Sequence, residues 1–259
     1  MKKKRIFGII VVALLLIGVA YTIFSHGKQY CKGVKVVISY NDASKFISEI
    51  EIEREIRNIY PDLNNTVYSD IEVGKIRKVL ESNPYIHKAQ VSLGLNGIVE
   101  VNIDQKEPIA RVFNKKGDSY YLTSECKLMP LSNIDIEHLI VVSGEINQEI
   151  DSVYSGRSFK SPRNFHELAL YKVWKLASYI RQNIFLSAQI DQIIVTENLE
   201  IELIPLIGEQ LIILGDIDNL EIKFQNLETL YTQGFQMVGW DKYKTINLKY
   251  INQVVCTRK

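Results

Sequence analysis

The side chains able to do chemistry in this chain are few and scattered. Four histidines, His26, His87, His138 and His166, and three cysteines, Cys31, Cys126 and Cys256, are spread along it. Two histidines hold one metal ion from a helix when they stand one turn apart, and no two of these do. C-x-x-C spacing is also missing. Three widely separated cysteines leave either three independent thiols or, in an oxidising compartment, one closed pair. The acidic pairs Glu53/Glu55 and Glu200/Glu202 are of the type used in acid–base catalysis, but both fit solvated faces, the second alternating within "LEIELI". The sequence has no H-E-x-x-H, G-x-S-x-G, Walker A or G-x-G-x-x-G run. An enzyme, a bound cofactor, a metal centre and a small-molecule substrate therefore all lack a motif. Lys and Arg number 31 against 30 Asp and Glu, so no basic excess marks a nucleic-acid partner.

The chemistry the chain does offer is that of a backbone edge near its C-terminus. From Tyr243 onward, Ile246, Leu248 and Tyr250 alternate with Thr245, Asn247 and Lys249. Beyond Tyr250 the alternation slips, and Ile251, Val254 and Val255 keep no single apolar face. Residues 246–252 read as the last strand of a sheet, apolar on both faces near its end. Such an edge is a hazard unless covered, either by the chain's own sheet or by a partner adding a strand. The tail "QVVCTRK" either extends that edge or frays.

The elements that must carry this edge are readable from periodicity. Residues 30–40 are rich in Val, Ile and Tyr, as strands are. Ile50, Ile52, Ile56 and Ile59 then fall near helical spacing, and Pro61 stops that helix. Ser69 and Glu72 read as a capping box opening a helix with Ile71, Val73, Ile76, Val79 and Leu80 on one side. Strands 86–93 and 98–104 follow, joined by the turn "GLNG". The order strand, helix, helix, strand, strand predicts helices covering one face of a small sheet. After Pro108 the chain becomes rich in strands, with a turn at 114–117 and a strand at 138–144. A helix over about 163–182 presents Phe165, Ala169, Val173, Leu176, Ala177 and Ile180, with Trp174 near that stripe. A meander turns at Asn198 and Gly208. Asp218 and Glu221 read as the cap of a further helix with Leu220, Phe224, Leu227, Leu230 and Tyr231 inward and Gly234 at its C-terminus. Trp240 reads as core or boundary packing.

The N-terminus reads as an anchor. Lys2, Lys3, Lys4 and Arg5 precede 19 residues without a charge, 6–24. A helix of that length reaches about 28 Å, close to the hydrocarbon thickness of a bilayer. The basic block predicts residues 1–5 in the cytoplasm and everything after about Ser25 outside it. A cleaved signal peptide would need small residues where Tyr21, Ile23 and Phe24 stand.

Taken in order, these pieces resemble the FtsQ/DivIB cell-division family. "LESNPYIHKAQVSL" is similar to the family's turn from helix into strand, and "VNIDQKEPIARV" to its V/I-x-E-x-x-P-x-A run. "YYLTSECKLMPLS" resembles the start of the family's β domain, with Cys126 standing where that pattern has glycine. "INLKY" resembles its final strand. The resemblance implies an α+β protein: a single transmembrane helix, a POTRA domain (β-α-α-β-β) over 30–108, and a β-rich domain with flanking helices over 109–259. It implies a non-enzymatic scaffold of the cytoplasmic (inner) membrane, acting at the division septum. Its partners would be bitopic coiled-coil proteins of the FtsB/FtsL type and other divisome membrane proteins, and it would help control septal wall synthesis. Matched residue by residue, partner binding falls on Leu248, Lys249, Tyr250, Ile251, Asn252 and Val254. The competing reading is another POTRA-bearing envelope protein, chaperone-like in outer-membrane protein assembly. That class carries several POTRA repeats and a barrel. A membrane-anchored wall hydrolase would need a catalytic site that the motifs do not supply.

Overall fold

The computed structural model describes residues 11–19, 21, 29–40, 45–132, 139–149 and 165–259. Residues 11–19 and 21 are helical and exposed, and the rest of the expected anchor 6–24, like the tail 1–5, lies outside the described residues. Among the described residues no helix is long and apolar enough to cross a membrane. His26, His138 and the side chains of Phe165 and His166 also fall outside them. The chain divides into two compact units, Met1–Gln105 and Lys106–Lys259.

The first unit has the expected order. Strand β1 (Gly33–Ser39) is followed by helices α1 (Glu49–Ile59) and α2 (Val73–Glu81), then β2 (Ile86–Leu93) and β3 (Ile98–Gln105). β3 lies in the middle, parallel to β1 and antiparallel to β2. Val99, Val101 and Ile103, every second residue of β3, are buried together with Ile52, Ile56, Ile76 and Leu80 of the helices. The period of two meets the period of three to four on one face, so the helices cover that side of the sheet.

Its helix start differs from the sequence expectation. The capping box belongs to α1, where the Ser48 hydroxyl accepts from the Glu51 N–H and the Glu51 carboxylate accepts from the Ser48 N–H. Ser69 instead sits in a 3-10 turn, Tyr68–Asp70, and α2 begins after Glu72 without a side-chain cap. Glu72 is drawn off because its N–H donates to the Tyr60 hydroxyl at 2.9 Å. Ile50 and Val79, placed on the apolar stripes by spacing, are exposed.

The second unit is one nine-stranded sheet with helices packed against it. Its strands are β4 (Pro108–Phe113), β5 (Ser119–Thr123), β6 (Leu128–Met129), β7 (Ile140–Gly144), β8 (Ile190–Val195), β9 (Ile201–Pro205), β10 (Leu211–Gly215), β11 (Tyr243–Asn247) and β12 (Val255–Arg258). Their order across the sheet is β12-β11-β10-β9-β8-β7-β4-β5-β6. The pairs β4–β7, β7–β8 and β10–β11 are parallel and the others antiparallel. Helix α3 (Phe165–Gln182) buries Ala169, Leu170, Val173, Leu176, Ala177 and Ile180. The Trp174 indole N–H beside that face donates to the Ser124 carbonyl at 2.9 Å. Helices α4 (Ile184–Gln189) and α5 (Leu220–Thr229) follow the same rule. A π-turn, Leu230–Gly234, joins α5 to the short α6 (Phe235–Val238).

Two further ends depart from their sequence signals. Asp218 does not cap α5. The N-cap is Asn219, in the left-handed region at φ 53°, and makes no side-chain cap bond. Gly234 stays helical inside the π-turn, and the chain breaks at Gly239, whose φ of 88° and ψ of 149° only glycine adopts easily. All three cysteines are free thiols, Cys31 and Cys126 buried and Cys256 half-buried. Cys126, standing at the glycine position of the resembled pattern, has φ 60°, so the backbone there does take the conformation that favours glycine.

Candidate functional site

The C-terminal edge is built from three consecutive decisions of the chain. β11 pairs parallel with β10, setting Ile246 opposite Ile212 and burying both. The strand stops at Asn247, earlier than alternation predicts. The Asn247 side-chain carbonyl accepts from the Lys249 N–H at 2.9 Å, a local bond that competes with strand continuation. Leu248 is carried into the core at 1 % exposure while its N–H donates to the Ile213 carbonyl at 2.8 Å. Residues 250–253 then turn, and the chain returns as β12, antiparallel to β11, with Asn247 opposite Val255 and Ile246 opposite Cys256.

The expected final strand over 246–252 is therefore corrected to a strand and a turn. The slip of alternation after Tyr250 is the mark of that turn. The tail does not fray: it forms β12, the terminal strand of the nine. Its end is tied down, because Lys259 donates from its backbone to the Lys242 carbonyl and from its ammonium to Glu209 at 2.6 Å. The hydrogen bond with Lys259 holds the Glu209 carboxyl below its ordinary value.

The six residues matched to partner binding are thus not equivalent. Tyr250 is 53 % exposed and Ile251 45 % exposed at the tip of the turn. Asn252 is exposed beside them, and Val254 is partly buried against the core. Leu248 supports the turn from inside. The Lys249 ammonium pairs with Glu200 at 2.5 Å. The Asn226 amide of α5 donates to the Ile251 carbonyl at 3.2 Å and fastens the turn to the helix.

Between that turn and the helical segment lies a groove of about 460 Å³. Asn226, Thr229, Leu230, Gln233 and Met237 line its helical side and Asn252, Gln253 and Val254 the other. The amides of Asn226, Gln233, Asn252 and Gln253 are set among the apolar surface of Leu230, Met237 and Val254. Such a lining suits main-chain groups and small apolar side chains better than a charge. Sequence reasoning missed the helical half of this groove. Its one available signal was Met237, an apolar residue off the inward stripe and 87 % exposed. Among the described residues, no group of three or more His, Cys, Asp or Glu side chains could hold a metal ion.

Comparison with protein-family models gives two matches. One, described as FtsQ/DivIB, C-terminal related, covers residues 107–257, more than half of the chain. The chain belongs to the FtsQ/DivIB family. The second match, a POTRA-like domain, covers residues 29–104. A search of curated proteins gives no match. FtsQ/DivIB proteins are non-catalytic scaffolds of cell division, associated with the membrane at the division septum. The FtsQ/DivIB match runs from the residue before β4 to Thr257 within β12, and so takes in all or part of each of the nine strands.

Proposed function

We propose that this FtsQ/DivIB-family chain is a single-pass scaffold of the cytoplasmic membrane that binds FtsB/FtsL-type coiled-coil partners through the C-terminal edge of its β domain. Residues 1–5 lie in the cytoplasm, 6–24 form the anchor, and the POTRA domain (30–108) and β domain (109–259) lie outside. In this role the chain links membrane division proteins and helps control septal wall synthesis without catalysing a reaction.

The observation that supports this reading is the joint exposure of one edge. β12 is the last strand of its sheet, and the Tyr250–Ile251 tip and the amide-lined groove flank it. A partner strand laid on β12 would gain main-chain hydrogen bonds, while the tip and groove would read its side chains. Depletion of the protein followed by microscopy tests the role. Cells that stop dividing and grow into filaments are the expected outcome. Cells of normal length that lose outer-membrane proteins would instead support a chaperone of envelope assembly.

A further inference from the structure

Lys249 is the one cation of the exposed C-terminal turn, and a surface lysine in such a place invites the reading that it meets an acidic partner. Its geometry says otherwise. The ammonium reaches Glu200 at 2.5 Å, and the side chain runs back over the sheet to do so. Glu200 immediately precedes β9, and β10 lies between β9 and β11. The lysine stem therefore crosses the end of β10.

It crosses at Gly215. A Cβ on that residue would stand 2.8 Å from the Lys249 Cγ, closer than real side chains approach. Gly215 also has φ +76°, which a side chain rarely adopts. The crossing is thus built on a residue that leaves room for it. Both ends are anchored. The Lys249 N–H is held by Asn247. Glu200 is held by Thr196, whose N–H donates to its carbonyl at 2.9 Å and whose hydroxyl oxygen accepts from its N–H at 3.1 Å. The hydrogen bond it donates to the Glu200 carboxylate also pushes the Lys249 ammonium above its ordinary value.

We infer that Lys249 is a positioning residue, strapped by Glu200 across Gly215 so that its charge is already paired and the turn meets a partner through Tyr250, Ile251 and Asn252. The partner segment recognised there is accordingly aromatic or aliphatic, with main-chain groups for the amides, rather than a carboxylate. This rests on the partner-binding reading above, and its test separates the two.

The full chain is compared with its variants by amide hydrogen exchange alone and by titration with a purified FtsB/FtsL-type coiled-coil pair from the same organism. Glu200→Gln and Lys249→Gln each raise exchange at residues 249–253 by roughly two- to five-fold, the range of an exposed ion pair, and weaken the partner by a similar factor. The exchanged pair, Glu200→Lys with Lys249→Glu, returns both toward wild type, because a strap works in either polarity. A partner that met Lys249 directly would lose affinity in the exchanged pair and be indifferent to Glu200→Gln, and that result overturns the inference. Unchanged exchange in both single variants overturns it as well. If Tyr250→Ala leaves binding untouched while exchange responds as stated, the strap stands and the partner-binding surface falls.

Discussion

Single side chains already separate structure from chemistry in this protein. Tyr231 is buried among Phe185, Phe235 and Trp240, with ring centroids 6.0, 5.3 and 5.1 Å away. Its hydroxyl has no hydrogen-bond partner of normal geometry; burial pushes the phenol up to about 12, with Gln189 acting in the opposite direction. Tyr120 is buried too, but its hydroxyl donates to the Gln148 carbonyl at 3.1 Å. The two phenylalanine variants should therefore diverge in urea unfolding at pH 7. Tyr120→Phe loses about 1 kcal/mol, while Tyr231→Phe is neutral or gains up to about 1 kcal/mol, because it removes an unsatisfied buried group. A loss above about 1 kcal/mol for Tyr231→Phe would show that its hydroxyl has a partner after all. The pH response follows from the same burial. With the folded value raised above the ordinary 10.0, Tyr231 supports the fold fully below pH 10 and progressively less as pH rises toward about 12. The alkaline loss should be smaller in Tyr231→Phe. Lys223 marks the limit of reading by residue type. It lies in the inward stripe of α5 at 4 % exposure, where its ammonium donates to the Leu214 and Asp216 carbonyls and pairs with Asp216 at 2.7 Å. Apolar spacing named Leu220, Phe224 and Leu227 around it, but nothing local announces that a lysine will find three acceptors.

At the level of elements, helices and hairpins with local signals were legible, and their exact ends were not. The apolar stripes of α1, α2, α3 and α5 follow from periodicity, which is local in sequence. Caps compete with other donors and acceptors that arrive from elsewhere in the fold. Ser48 wins its capping box with Glu51, whereas Ser69 lies in a 3-10 turn and Glu72 is engaged by Tyr60, twelve residues away. Ser48→Ala should cost about 1 kcal/mol of the first unit's stability in thermal unfolding, and Ser69→Ala no more than about 0.5 kcal/mol. Equal costs would place the capping box where the sequence alone suggested it. The final hairpin is the same lesson with a functional consequence. No glycine or proline stands at residues 247–254 to announce a turn. Asn247 makes it with its own side chain, and the turn becomes visible only as a lost alternation.

The whole molecule is two units with different degrees of legibility. In the first, the succession of elements along the chain could be read from sequence, because a short turn and consecutive helices join its strands, but the central place of β3 could not. The nine-strand order of the second could not, because β4 pairs with β7 and β10 with β11 across long intervening segments. Distant pairing leaves no mark on either strand alone. The family match supplies what the fold cannot: a nine-stranded unit binds nothing in particular by virtue of its architecture. The proposed partner binding rests on the edge where β12, the Tyr250–Ile251 tip and the groove meet. The most direct measurement is a binding titration of the full chain and its Tyr250→Ala variant against a purified FtsB/FtsL-type coiled-coil pair, with thermal unfolding of both chains alongside. An exposed aromatic anchor at such an interface predicts a loss of about five- to thirty-fold in affinity, with the unfolding temperature unchanged. Equal affinity of the two chains, both folded, would contradict the account.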